Sequence, residues 1–166
     1  MKNDSGLTIR RAKRGDDADL ARLLMPVIRA GETYPLPRHM SSEAAIAYWQ
    51  GEGRQVFLAT GERETVGTYY LRANHQGGGD HVANCGYIVA EGARGKGIAS
   101  ALCTHSLRQA RLAGFTAMQF NFVVSSNTQA VHLWSQHGFA IVGRLPGAFM
   151  HPTKGAVDAL VMYRTL

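Results

Sequence analysis

The sequence predicts an α/β fold, a mixed and mostly antiparallel sheet of six or seven strands flanked by about four helices. Short apolar runs of strand character and longer runs of helical period follow one another in the order β-α-α-β-β-β-α-β-α-β-β. Residues 83–124 form a strand, a glycine-rich turn, a long helix and a second strand, a unit expected to close as a parallel, right-handed crossover. A length of 166 residues with 45% hydrophobic side chains suits one core, so residues 1–166 are expected to form a single domain.

Residues 7–10 read as the first strand. Asp16 or Asp17 can cap the helix that follows, in which Leu20, Leu23, Leu24, Val27 and Ile28 recur at the spacing of one apolar stripe. Pro26 inside that stripe predicts a kink or a division, and Gly31 a stop, with 32–37 as an irregular loop. A short helix over 42–50 follows Ser41. The runs 55–59 and 65–71 flank a turn at 60–64 and predict an antiparallel hairpin. Gly77, Gly78, Gly79 and Asp80 predict a loop, and 83–90 a fourth strand in which Gly86 marks either a bulge or a position of close packing. The long helix over 97–113 stops at Gly114, 117–124 is the fifth strand, and 127–137 is a helix ended by Gly138. Residues 140–144 and 157–163 are the last strands, with 145–152 read as the loop between them.

Charge and composition exclude several classes. A formal net charge of +6 and a pI near 9.7 favour an anionic partner. The basic residues are scattered and not interleaved with aromatics, which argues against nucleic acid and leaves a phosphate-bearing small molecule. No stretch approaches the ~20 apolar residues of a spanning helix, and Met1-Lys2-Asn3-Asp4-Ser5 does not open a signal peptide. The expectation is a soluble, cytoplasmic protein without a membrane partner. Cys85 and Cys103 lie inside predicted elements and in no metal-type spacing, so they read as buried free thiols, with no disulfide framework and no metal site.

The turn Glu91-Gly92-Ala93-Arg94-Gly95-Lys96-Gly97-Ile98-Ala99 carries three glycines and two cations just before the long helix. The first helical turn leaves N–H groups unpaired and its dipole favours anions there. Glycines let successive N–H groups converge on a phosphate without an obstructing Cβ, and Arg94 and Lys96 add charge at the rim. Neither a Walker loop nor a dinucleotide fingerprint fits, because Ala99, Ser100 and Ala101 stand where those motifs need other residues.

The run Arg94-x-x-Gly97-x-Ala99 resembles the acetyl-CoA pyrophosphate motif of the GNAT superfamily of N-acetyltransferases. Asn127-x-x-Ala130-x-x-Leu133-Trp134-x-x-x-Gly138-Phe139 resembles a second segment of that superfamily at the same spacing, and the likeness extends over about residues 7 to 166. The resemblance implies the GNAT fold with strands four and five splayed, and acetyl-CoA as co-substrate without a metal. It implies that the backbone of Tyr87, Ile88 and Val89 pairs with the pantetheine arm. Arg94, Gly95, Lys96, Gly97, Ile98 and Ala99 would wrap the pyrophosphate, and Asn127 would hydrogen-bond the cofactor while also capping its helix. Glu32, Thr33 and Tyr34, with the 145–152 segment, fall where the family builds its acceptor pocket. Members often pair, which makes a homodimer an expectation.

Transfer from a thioester needs a neutral amine, alignment and a donor for negative charge on the acyl oxygen, for which the backbone N–H of Ile88 or Val89 is the family-type group. The residues leave the proton acceptor open. The family tyrosine that protonates the leaving thiolate aligns with Trp134, whose indole N–H cannot serve as an acid, so Trp134 reads as core or pocket wall. Asn84-Cys85-Gly86-Tyr87, the run Asn121 to Asn127, and Val157-Asp158-Ala159-Leu160-Val161 resemble the azetidine-2-carboxylate acetyltransferases, which act on small cyclic amines related to proline. That likeness puts Asn84 and Asn121 in the catalytic site. The expected activity is acetyl transfer to a small-molecule amine, an amino acid, a proline analogue or a xenobiotic. A protein N-terminal acetyltransferase and a CoA-binding regulatory module with reduced catalysis are the alternatives.

Overall fold

The strands are β1 (Thr8–Arg11), β2 (Gln55–Thr60), β3 (Thr65–Ala73), β4 (Val82–Val89), β5 (Ala117–Val124), β6 (Ala140–His151) and β7 (Gly155–Thr165), and the helices α1 (Asp17–Ala30), α2 (Ser42–Trp49), α3 (Ile98–Leu112) and α4 (Thr128–Gln136). The computed structural model describes residues 6–166, so the reading of Met1 to Ser5 lies outside the described residues. One seven-stranded sheet runs in the order β1-β2-β3-β4-β5-β7-β6. All pairings are antiparallel except β4 with β5, the crossover spanned by α3.

Period-two alternation divides the sheet between two cores. Tyr69, Leu71 and Cys85 face α3 and α4 with Leu102, Cys103 and Trp134. Val56, Leu58, Tyr70 and Ile88 face α1 and α2, where Leu20, Leu24, Ile28 and Trp49 cover them. The buried Trp49 indole is satisfied by the Thr68 hydroxyl at 3.1 Å, which in turn donates to the Phe57 carbonyl at 2.9 Å. Asp16 precedes α1 but caps nothing with its side chain, because that carboxylate is taken by Arg10 at 2.7 and 2.9 Å and by the Lys13 N–H at 2.8 Å. The Arg10 guanidinium holds the Asp16 carboxyl down at about 2.

Two sequence expectations are corrected and a third is decided. Pro26 does not divide α1, since Leu20, Leu23, Leu24 and Ile28 bury one continuous stripe that offsets the lost backbone bond. The 145–152 segment is not a loop: residues 145–151 are the second half of β6, carried past Pro146 and Gly147 by register shifts between Ile141 and Gly143 and between Leu145 and Phe149, and only Pro152 falls in the turn. An edge strand tolerates a proline, and here the Asp158 carboxylate accepts from the Gly147 N–H at 2.9 Å and from Arg144 at 2.7 Å. Gly86 is no bulge, for it pairs in register with Tyr70. A Cβ there would come within 2.6 Å of the Tyr70 ring, so the glycine serves close packing.

The splay has another origin. β4 and β5 pair only at Val82 with Ala117 and at Ala83 with Met118, then part. β5 carries an irregularity against β7 between Phe120 and Val123, an extra residue that turns Asn121 and Phe122 out of the ladder. No described helix is long and apolar enough to cross a membrane.

Candidate active site

The register decides which backbone groups face the gap between β4 and β5. Ala90 N–H donates to Val66 and the Val82 carbonyl accepts from Asn74, so the even-numbered residues of β4 spend their amides on β3. By alternation Ile88 belongs to that ladder, and the N–H and C=O groups of Tyr87 and Val89 face the gap. The Tyr34 hydroxyl donates to the Tyr87 carbonyl at 2.9 Å, which fixes the same direction independently.

At the wide end of the gap stands the N-terminus of α3. Gly95 and Gly97 both hold φ of 74°, the left-handed region that favours glycine. Nothing lies within 4 Å of a Cβ built on either, so the turn leaves an open cradle where a side chain would stand. Arg94, Gly95, Lys96 and Gly97 are exposed, while Ile98 is buried and anchors the turn to the core; Ala99 is half-buried. The first N–H groups of α3 therefore open onto solvent beside two cations, a fit to an anionic pyrophosphate. Asn127 caps α4, its side-chain oxygen accepting from Ala130 N–H at 3.3 Å.

At the narrow end, Asn84 donates its amide to the Gln119 carbonyl at 3.0 Å, bridging β4 to β5 just past their last paired residues. Asn121 stands exposed on the β5 irregularity, donating to the Asn74 side-chain oxygen at 2.6 Å and accepting from Gln119 at 2.9 Å. Asn74 is a site residue the sequence reading missed. Nothing in the sequence singles it out, since it lies past the strand expected over 65–71.

Tyr34 also lines a cleft of about 470 Å³ between the α1–α2 loop and β6, with Pro35, Leu36, Ala148, Phe149 and Met150. Phe149 of that lining lies 6.1 Å from the ring of Phe122, the neighbour of Asn121 in the chain. Glu32 is exposed and Thr33 half-buried in the same loop, next to that lining.

A model described as the acetyltransferase (GNAT) family matches residues 24–139. The chain belongs to the GNAT acetyltransferase family. A GCN5-related N-acetyltransferase from Kribbella flavida superposes with a TM-score of 0.91 at 36% identity, covering 97% of this chain and 98% of that one. A GNAT phosphinothricin acetyltransferase from Sinorhizobium meliloti in complex with AcCoA gives a TM-score of 0.84 over 97% of this chain and 89% of that one, at 21% identity, a likeness of fold. N-acetyltransferase aca1 of Schizosaccharomyces pombe is 31% identical over 97 residues, 58% of this chain and 46% of that protein. The chain thus matches about half the length of that curated relative.

In this GNAT chain Trp134 is buried, with ring centroids 4.8 Å from Tyr87 and 5.1 Å from Phe120. It forms the wall behind β4. Tyr87 places its hydroxyl 2.7 Å from Ser106 Oγ. Burial pushes the phenols of Tyr34 and Tyr87 well above their ordinary range, so both keep their protons. Burial also raises the Cys103 thiol to about 12 and the Cys85 thiol further, which removes either as a nucleophile.

Proposed function

We propose that this GNAT acetyltransferase transfers the acetyl group of acetyl-CoA to the amino nitrogen of a small molecule. The observation that carries this reading is the gap between β4 and β5, with the backbone groups of Tyr87 and Val89 turned away from β3 along one side, the Tyr87 carbonyl accepting from Tyr34, and the open glycine cradle of α3 at its mouth. Gly95 to Ala99, Arg94 and Lys96 would hold the pyrophosphate, and Tyr87 and Val89 would pair with the pantetheine arm as an added strand does. Asn127 would bond the cofactor with capacity left over from its cap.

Acetyl-CoA brings an activated thioester carbonyl, so the protein need not supply a nucleophile of its own. Val89 N–H is the backbone donor for negative charge on the acyl oxygen, since the Ile88 N–H belongs to the β3 ladder. Asn121 and Asn84 orient the acceptor at the narrow end of the gap. The Tyr34 phenol, bonded to the Tyr87 carbonyl, and the Tyr87 phenol, held by Ser106 on α3, both keep their protons and take none from the acceptor. Small cyclic secondary amines related to proline are the acceptors that the Asn84 and Asn121 pattern favours, within a wider class of amino acids and xenobiotic amines.

Free-thiol release from acetyl-CoA across amino acids, proline analogues, phosphinothricin-type compounds and polyamines tests the reading. Release with a small amine supports it. Release only with peptide N-termini would move the acceptor to protein. Tight acetyl-CoA binding with no release from any acceptor would leave a binding module.

A further inference from the structure

The first turn of α3 is tied to the end of α4 by side chains. The first bond of α3 runs from the Ala101 N–H to the Gly97 carbonyl at 3.0 Å, so the N–H groups of Ile98, Ala99 and Ser100 precede the helical ladder. Ser100, on that turn, places its Oγ 2.9 Å from Nε2 of His137. His137 follows α4, where its N–H donates to the Leu133 carbonyl at 3.1 Å and its own carbonyl accepts from the Arg164 guanidinium. Backbone bonds on both sides fix the ring, and Ser100 and His137 are both half-buried.

A serine hydroxyl has one proton to give. When Nε2 of a neutral ring takes it, Ser100 keeps only lone pairs, which repel a phosphate oxygen. With a proton on Nε2 the direction reverses: the ring donates to Oγ, and the Ser100 O–H is released to donate to an anion on the same turn. Ser100 faces the ring from α3 and Arg164 from β7, while Arg94 and Lys96 stand on the turn before α3. Burial and then the Arg164 charge hold the imidazole below its ordinary range, so in the free protein it is neutral at physiological pH. A pyrophosphate brings negative charge to the turn that carries Ser100 and opposes the charge of Arg164.

We infer that His137 takes up a proton when the pyrophosphate of the cofactor binds, and that the imidazolium, donating to Ser100, frees the Ser100 hydroxyl to donate to a phosphate oxygen. This rests on the cradle reading above and adds two residues and a pH dependence to that site. The proton comes from solvent and returns there on release, so only hydrogen bonds change. Ser100 touches the cofactor, and His137 is a positioning residue that acts through it. By linkage the protonated form binds the cofactor more tightly; the gain is complete below the pKa of the ring in the free protein and gone above its pKa in the complex.

The probe is the acetyl thioester of 3′-dephospho-CoA, which has no group that titrates between about pH 6 and 8. Calorimetric titration in two buffers of different ionisation enthalpy counts the protons exchanged. Wild type should take up about half a proton or more per ligand near neutral pH, and its affinity should rise about three- to thirtyfold from about pH 8 to about pH 6. In NMR titrations the His137 ring should titrate at least about one pH unit higher in the complex. His137→Gln keeps an amide N–H for Ser100 and has nothing to titrate. Its proton uptake should vanish, and its affinity should vary less than about twofold over the same range. Ser100→Ala should bind at least about fivefold more weakly at the acid end and reduce the uptake. Full uptake in His137→Gln overturns the inference, as does wild-type binding without uptake, and in both cases the cradle stands. No binding of the probe or of CoA at any pH removes the cradle itself, a separate result. Should His137→Gln fail to fold, the wild-type uptake, the NMR titration and Ser100→Ala still decide.

Discussion

The side-chain amide of Asn121 donates to the side-chain oxygen of Asn74 at 2.6 Å, tying the irregular point of β5 to the end of β3 across the start of β4. The irregular point of β5 is thus held to the end of β3, two strands that share no ladder, by an amide pair alone. Asn121→Ala removes an exposed group at the narrow end of the gap and leaves the Asn74 oxygen unpaired. Loss of one preorganised donor costs a hundred- to a thousandfold in rate at the upper end, and loss of the bond about 1 kcal/mol in stability. Turnover should fall at least about tenfold at unchanged acetyl-CoA affinity, read by steady-state kinetics and calorimetric titration. Full activity in the variant would remove Asn121 from the site.

Asn84→Ala should behave differently. Asn84 is buried and its amide satisfies the Gln119 carbonyl where the strands separate. Its loss leaves a carbonyl unpaired, a cost of about 1–3 kcal/mol. The melting temperature should drop by several degrees together with turnover, whereas Asn121→Ala loses turnover with the smaller drop in melting, about 2–4 °C, that a loss of about 1 kcal/mol brings. Equal thermal behaviour in the two variants would mean that the bridge carries no stability.

Gly97 tests the cradle. Its φ of 74° costs an L-residue about 1–2 kcal/mol, yet nothing blocks the space where a Cβ would stand. Gly97→Val should therefore fold with a lowered melting temperature and bind CoA at least about tenfold more weakly, since the new side chain occupies the place of a phosphate oxygen. Calorimetry with CoA and with dephosphorylated pantetheine separates the two effects: pantetheine affinity should not change. Unchanged CoA affinity in folded Gly97→Val would sink the cradle.

Trp134 has no acid role, and the rings of Tyr87 and Phe120 account for its burial. Trp134→Phe should cost about 1–3 kcal/mol in urea-unfolding stability through the smaller ring and keep turnover within a few fold. A loss of several hundredfold in kcat at unchanged KM would assign the indole a part in the chemistry.

How far the sequence carried this reading depended on whether a feature is local. The strands, the helices and the glycine spacing at Gly95 and Gly97 are set by neighbours in the chain, and the mixed α/β order followed from them, while the GNAT fold followed from the resemblance of the Arg94 to Ala99 and Asn127 to Phe139 motifs. Pro146 and Gly147 misled because turn-forming residues also occur where an edge strand is irregular, and the chain carries no mark of which strand is at the edge. Gly86 stayed open between bulge and close packing because its reason is a ring on the next strand. Whether Ile88 or Val89 offers its N–H to the gap depends on strand register, to which a pattern of side chains is blind. Asn74 was invisible for a related reason: its partner Asn121 lies on another strand, far along the chain.

Tyr34 gives the prediction on pH. Its hydroxyl donates to the Tyr87 carbonyl at 2.9 Å, and its ring lies 5.9 Å from that of Trp49. Burial raises this phenol well above its ordinary value, with the neighbouring Tyr70 and Tyr48 pushing the same way and the bond to Tyr87 opposing. A group whose pKa is raised keeps its proton to higher pH, so Tyr34 is neutral at physiological pH and its phenolate fraction there is smaller than that of a free tyrosine. It therefore cannot supply a rising alkaline limb between about pH 6 and 9 by ionising, and that limb belongs to deprotonation of the acceptor amine. Tyr34→Phe should lower kcat/KM for the acceptor by about three- to thirtyfold, because a hydrogen bond and a wall of the cleft are altered. The shape of the pH profile should stay the same, with its midpoint within about 0.3 units of wild type and following the pKa of whichever amine is used. If the rising limb disappears in Tyr34→Phe while the amine is unchanged, the phenol titrates in the working range, and Tyr34 is the base.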